Sequence, residues 1–367
     1  EDREEVEGER GKGDRQKQTA QSREAEGRAQ EEGREAAQVM LRAVLALVLA
    51  LGVMAVPPPT DAQQPKGKVW RVGFLTGGAR TLDGAPPAVL RGALKDLGYV
   101  EGQNVTYAAR FGEGQQGQLP TLAAELVAEK VDVIVTAGGP STNASRRATS
   151  TIPIVMALVG DADGIGLINS LAFPGGNVTG VTDQSAELSA KRLELLKEAL
   201  PRAERMAVLY NADDQGMVLR YDNVAKAAQT LRVTVQQLGV REPNDFDTAF
   251  AAMTKQRPDA MYLVTDALTL LNRKRVMEFA TLHRIPAMYE SSNLVQEGGL
   301  MSYGASLDDN YRRAATYVDR LFKGATPARL PVERPSRYYL AVNLKTAKTL
   351  GLTLPQPFLL RADQVVE

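Results

Sequence analysis

Two stretches of this chain go through the same succession of residue types, and that repetition restricts the fold more than any single residue does. In residues 131–147, VDVIVTAGGPSTNASRR, a short apolar run stops at glycines and a hydroxyl-rich segment opens a helix. Val131, Val133, Ile134 and Val135 are β-branched, and the run is too short for a membrane span or an ordinary core helix. It reads as a buried parallel strand. Gly138, Gly139 and Pro140 break it, and Ser141, Thr142 and Asn143 offer N-cap side chains to the helix that follows. Such a junction presents unpaired backbone N–H groups and hydroxyls, a natural place for an anionic or polar group of a ligand.

Residues 257–275, RPDAMYLVTDALTLLNRKR, repeat the pattern: Asp259 before an apolar run, a polar break, then a basic helix. The flanks agree. Ile152-Pro153-Ile154 follows the first unit as Ile285-Pro286-Ala287 follows the second, and residues 71–75 (RVGFL) correspond to residues 205–209 (RMAVL). Between these anchors Leu90, Ala93, Leu94 and Leu97 match Val224, Ala227, Ala228 and Leu231. Leu119, Leu122, Ala123 and Leu126 likewise match Phe246, Ala249, Phe250 and Met253. Each set falls at i, i+3, i+4, i+7, one face of a helix. Both halves therefore run strand, helix, strand, helix, strand, helix, strand, which argues for two similar α/β lobes.

The length of 367 residues accommodates two such lobes, and a hydrophobic content of 44% suffices for their cores. Forty-four basic against 44 acidic side chains leave no net charge to mark a nucleic-acid binder or an enzyme of acidic substrates. The absence of cysteine excludes thiol catalysis, Cys-ligated metal and disulfides. There is no Gly-x-Gly-x-x-Gly after the first strand and no Gly-Lys-Ser/Thr phosphate loop, so nucleotide binding lacks support.

Residues 1–39 are rich in Glu, Arg, Gln, Gly and Ala, and cannot bury enough apolar surface to offset chain entropy. A charged disordered extension, not necessarily native, is expected there. Arg42, the apolar residues 43–56 and the small residues up to Ala62 are the parts of a secretory signal peptide over residues 40–62, with Met40 as the start and cleavage after Ala62. The competing reading is a short membrane anchor with a cytoplasmic tail. Further along, a short helix is expected over residues 163–171 and a helix over 188–200. A strand is expected in residues 298–304, a helical stripe from Tyr311 to Phe322, and a final strand over 338–342 followed by a helix over 344–350.

The order of five motifs, PGGNVTG (174–180), KRLELLKEALP (191–201), GGLMSYG (298–304), NLKTAKTLGLTLP (343–355) and LLRADQVVE (359–367), resembles the ABC-transporter substrate-binding proteins of the tryptophan/tyrosine-uptake type. The resemblance covers residues 69–367 and implies the periplasmic-binding-protein type I fold: two Rossmann-like, doubly wound lobes joined by a multi-strand hinge, with a ligand cleft between them. It assigns residues 69–182 plus 306–328 to an N-terminal lobe and residues 183–305 plus 333–367 to a C-terminal lobe. It implies a monomeric receptor that needs no cofactor, takes a small-molecule ligand and delivers it to an ABC permease in the inner membrane. Without a lipid-bearing cysteine, a freely diffusing periplasmic form is expected.

In such a receptor the cleft residues come from the loops after the strands of both lobes. The first lobe offers Thr76, Gly77, Gly139, Ser141, Thr142 and Asp161; the second offers Asn211, Asp214, Asp266, Tyr289 and Tyr303. Gly77, Gly139 and Ser141 supply donors for a carboxylate, Asp161 or Asp266 pairs with an ammonium group, and Tyr289 or Tyr303 faces a ring. The competing roles are structural: helix capping for Ser141 and Thr142, a turn for Asp161, solvated turn positions for Asn211 and Asp214, core for Tyr303. His283, the only histidine, reads as a helix-end residue, and no Gly-x-Ser-x-Gly elbow accompanies it. The adjacent acids Asp213–Asp214 and Asp308–Asp309 read as solvated loop positions rather than metal or glycosidase sites. The expected function is thus binding of a small polar or amino-acid-like solute, aromatic ones included, by hinge closure, with no chemistry and no metal. A ligand-sensing module for a membrane signalling protein and a cleft enzyme such as a sugar-nucleotide transferase remain as alternatives.

Overall fold

The computed structural model describes residues 67–183 and 185–367. The charged extension and export segment read from residues 1–62 lie outside them. No helix of the described residues is long and apolar enough to cross a membrane.

The first lobe is built on β1 (Trp70–Thr76), β2 (Val105–Phe111), β3 (Val133–Ala137), β4 (Ile154–Gly160) and β5 (Val178–Asp183). They form one parallel sheet in the order β2-β1-β3-β4-β5. The crossovers are α1 (Ala88–Asp96), α2 (Leu119–Ala128) and α3 (Gly139–Ala148). Strand β1 shows why the apolar run is continuous. Val72 and Phe74 pack into the cluster on one face and Leu75 into the cluster on the other, because successive side chains leave a strand on opposite sides. Each large side chain buried in this way contributes about 1.5–3 kcal/mol.

The second lobe begins with α4 (Ser185–Ala199) and repeats the winding with β6 (Arg205–Asn211), α5 (Gln215–Leu231), β7 (Thr234–Val240), α6 (Asp245–Lys255) and β8 (Ala260–Leu263). The third crossover is split into α7 (Ala267–Leu271) and α8 (Arg273–Leu282) before β9 (Ala287–Tyr289). Then come α9 (Ser292–Gln296), β10 (Met301–Gly304), α10 (Leu307–Phe322), β11 (Tyr339–Asn343), α11 (Leu344–Leu350), α12 (Gln356–Leu359) and β12 (Gln364–Val366). Seven strands pair in the order β12-β11-β10-β9-β8-β6-β7, parallel except for the β10–β11 pair. The strand order of the repeated units is the same in both lobes, as the two matched series require.

Helix α10, though late in the chain, packs on the first sheet. Ala314, Ala315, Tyr317 and Val318 join Val72 and Phe74 in one core, and the Tyr99 hydroxyl donates to Asp319 Oδ1 at 2.9 Å. The following segment then stays with the first sheet, where Thr182 N donates to Glu333 O.

Two expectations need correction. Residues 163–171 form turns and bends rather than a helix, because Gly166 (φ 72°) inside the span adopts left-handed backbone that a right-handed helix cannot contain. The strand near residues 338–342 is not the last. β12 pairs in parallel with its outer edge, Val342 opposite Val365.

Candidate functional site

The carboxyl ends of the parallel strands in each lobe carry the loops where ligands bind in open α/β sheets, and here the two sets of loops meet. A Cβ placed on Gly77, just after β1, would lie 3.3 Å from Cβ of Ala267, the first residue of α7. One placed on Gly164 would lie 3.4 Å from Cδ2 of Leu219 in α5. Beside this seam a cavity of about 420 Å³ opens between the lobes. Its first-lobe wall includes Leu119, Pro120, Asn143, Arg146, Arg147 and Ile165; Asp213, Asp214, Gln215 and Gly216 form the second-lobe wall. A solute there touches both lobes at once.

Behind the seam lies a buried charged cluster. Glu290, after β9, accepts from Arg192 Nη1 of α4 at 2.9 Å on Oε1 and from Arg220 Nη1 of α5 at 2.6 Å on Oε2. The Tyr262 hydroxyl of β8 also donates to Oε1, and Thr265 N donates to Oε2 at 3.2 Å. Side-chain exposures of 3% for Arg192, 6% for Arg220 and 8% for Glu290 put these charges out of water. Burial pushes the Tyr262 phenol well above its ordinary range, partly offset by the charge of Arg192. Arg220 Nη2 lies 3.7 Å from Asp183 Oδ1 at the end of β5, so a second-lobe cation is held to the last strand of the first sheet. Gly160, at the end of β4, has to lack a side chain, since a Cβ there would strike the Arg220 guanidinium.

Three further acids stand at strand ends. Asp161 Oδ2 accepts from Ala186 N at 2.7 Å, at the start of α4. Burial lifts its carboxyl to about 6, opposed by the Ala186 hydrogen bond and aided by the charge of Asp183. Asp214 caps α5 through Gly216 N at 2.8 Å, and burial and then the neighbouring Asp266 raise it to about 6. Asp266 caps α7 in a reciprocal box with Thr269, while its Oδ2 accepts from Asn211 Nδ2 at 2.6 Å. These groups suit holding an ionic solute. His283 caps α8 at its C-terminal end, with its ring 4.2 Å from that of Phe279, and no group of three or more metal-ligating side chains occurs among the described residues.

A family model described as ABC transporter substrate binding protein matches residues 87–366. The chain belongs to this family. It is the solute-binding protein of an ABC importer, an extracytoplasmic family that binds rather than transforms its solutes. A tyrosine-binding protein of Clostridioides difficile is 27% identical over 272 residues, covering 74% of this chain and 78% of that one. The ABC domain from Streptococcus pneumonia, solved in complex with L-Trp, is 26% identical with a TM-score of 0.75, covering 82% of this chain and 100% of its own. A conserved domain protein of Vibrio cholerae gives 26% and 0.76, covering 81% and 100%.

Within this binding protein, the residues expected at the site fall into three groups. Gly139 and Asp214 line the interlobe cavity. Thr76, Gly77, Asp161, Asn211 and Asp266 stand at the strand ends beside the seam: Thr76 Oγ1 takes Gly78 N at 3.1 Å and Asn211 Oδ1 takes Asp213 N at 3.0 Å within their own lobes, whereas Asp161 takes Ala186 N of the second lobe. The remaining four lie elsewhere. The N-cap of α3 is Gly138 (φ 98°), not a hydroxyl residue, with Pro140 in the first turn, so the helix starts early and swallows Ser141 and Thr142. Thr142 Oγ1 bonds Thr136 Oγ1 at 2.7 Å and Gly138 O at 3.0 Å, inside the lobe. Tyr289 is 1% exposed in the core, and Tyr303 packs against the core and toward Tyr338. Asp213 pairs with Arg241 and Asp308 and Asp309 with Arg312, as exposed acids do.

Missing from the expected set are Arg192, Arg220, Tyr262 and Glu290, together with Arg146 and Arg147. One signal was present: Arg192 lies on the buried stripe of α4 with Ser189, Leu193, Leu196 and Ala199, where a cation needs a partner. Nothing local to Glu290 announces that partner.

Proposed function

We propose that the protein is a periplasmic receptor that captures an amino-acid-like solute by closing its two lobes and presents the closed form, as a monomer, to an ABC permease in the inner membrane. The moving bodies are residues 69–182 plus 306–328 and residues 183–305 plus 333–367, except that Asp183 and Glu333, paired on the first sheet, move with the first body. The reading rests on one observation above all, a cavity whose walls come from α2, α3 and the 163–167 turn on one side and the start of α5 on the other. A solute touching both walls stabilises the closed arrangement by its differential affinity for it. The tyrosine and tryptophan named for two relatives support an amino-acid class. The strand-end residues Thr76, Gly77, Asp161, Asn211 and Asp266 frame the site, and Gly139 and Asp214 touch the solute.

Small-angle scattering with an amino-acid panel tests this. A binding solute reduces the radius of gyration. If no amino acid that binds by calorimetry compacts the protein, the closure mechanism is wrong.

A further inference from the structure

The interlobe cavity divides its charges by lobe. The first-lobe wall carries Arg146 and Arg147, both in the last turn of α3, and the second-lobe wall carries Asp213 and Asp214. Arg146 is already steadied by Gly166 O at 3.1 Å, whereas Arg147 has no acidic partner among the described residues. Asp214 lines the cavity at the N-terminus of α5, where its Oδ1 accepts from Gly216 N. An amino acid, whose carboxylate and ammonium share one carbon, can turn the first toward α3 and the second toward α5 and lay its side chain on the remaining wall.

The rest of the first-lobe wall is largely aliphatic, with Leu119, Pro120, Ala144, Ile165 and Leu167 beside Gln116 and Asn143. Among the described residues no aromatic side chain lines the cavity. The two tyrosines expected to face a ring are committed elsewhere, Tyr289 in the core against Gly299 and Tyr303 against its own lobe. An indole or phenol placed here finds no aromatic ring to stack on or to meet edge-on. A branched aliphatic chain fills such a wall by ordinary van der Waals contact.

From this distribution we infer that the solute is an aliphatic zwitterion, with its carboxylate held by Arg147 and Arg146 and its amine by Asp214. The inference rests on the receptor reading above and narrows its ligand class. It separates this chain from the tyrosine-binding and L-Trp-bound relatives.

Calorimetry on the whole protein tests it with L-leucine, L-tyrosine, L-tryptophan and 3-methylbutylamine, which is leucine without its carboxylate. Leucine is expected to bind at least tenfold more tightly than either aromatic amino acid and about a hundredfold more tightly than the amine, the latter matching one lost charge-assisted contact. The exposed Arg147→Gln is expected to weaken leucine at least tenfold while leaving the amine's affinity and the melting temperature unchanged. Tyrosine or tryptophan binding as tightly as leucine overturns the inference, and if that binding compacts the protein the receptor reading survives. An unchanged leucine affinity in Arg147→Gln also overturns it. Leucine binding with the expected selectivity but no compaction upholds the ligand class and removes hinge closure instead.

Discussion

Replacing Glu290 by Gln should be among the costliest isosteric substitutions in the protein. The carboxylate stands between two buried guanidiniums at 2.9 and 2.6 Å and also accepts from a phenol and a backbone N–H. Glutamine keeps the shape but removes the charge, and its NH2 group offers Arg192, Arg220 or Tyr262 a donor where an acceptor was. One cation keeps a longer contact to Asp183, 3.7 Å from Arg220; Arg192 and Arg220 otherwise remain in low dielectric with too little negative charge. Breaking a buried pair by removing one partner costs about 3–5 kcal/mol. For a protein of this size that corresponds to a fall in melting temperature of about 10 °C, taking roughly 2–4 °C per kcal/mol. The control is Glu297→Gln, whose pair with Arg273 is 41% and 33% exposed, and which should cost less than about 1 kcal/mol. Adding Arg192→Met to Glu290→Gln removes one uncompensated cation, so the double variant should lose less than the sum of the two single variants, by about 1 kcal/mol or more. Differential scanning calorimetry at pH 7 reads all four. If Glu290→Gln melts no lower than Glu297→Gln, the cluster is not the electrostatic anchor described here.

Gly77→Leu places bulk where the first-lobe loop meets Ala267, so solute affinity should fall at least tenfold while the melting temperature of the unliganded protein stays within about 2 °C; unchanged affinity would show that the seam is not needed for binding. Asp214→Asn keeps a competent N-cap and removes a buried charge whose folded value is about 6 against an ordinary 3.8. Because the folded state holds this proton more tightly than the unfolded chain, the carboxyl favours folding below pH 4 and that advantage is lost as pH rises through 6. The variant should therefore be more stable than the wild type by about 3 kcal/mol at pH 8 and equal to it near pH 4; a loss of stability of the same size at both values would contradict this.

The winding of both lobes was legible because each buried strand carries an unbroken β-branched run and each helix an apolar stripe, signals that depend on local sequence. Where the reading failed, the cause was non-local or conformational. The left-handed backbone at Gly166 broke a helix that composition permitted, and Gly138 began α3 before the hydroxyl residues that resemble its cap. Tyr289 and Tyr303 carried the right chemistry for a ring but sit on strand faces turned into their own lobe. The cluster around Glu290 joins residues up to 98 positions apart in sequence, and no spacing rule connects Arg192 to Glu290. Cavity residues such as Arg147 occupy the last turn of a helix whose recognisable loop signal lies at its N-terminus.

The central claim is that two lobes close on a solute held between them, and the natural absence of cysteine makes that directly measurable. Leu82→Cys on the β1–α1 loop and Glu242→Cys on the β7–α6 loop place one dye on each side of the cleft, both at exposed positions. Single-molecule energy transfer should show a lower-efficiency population without solute that converts to a higher-efficiency one as L-leucine is added, with a midpoint equal to the calorimetric Kd. A single population whose efficiency ignores saturating leucine, tyrosine and tryptophan alike would contradict the account.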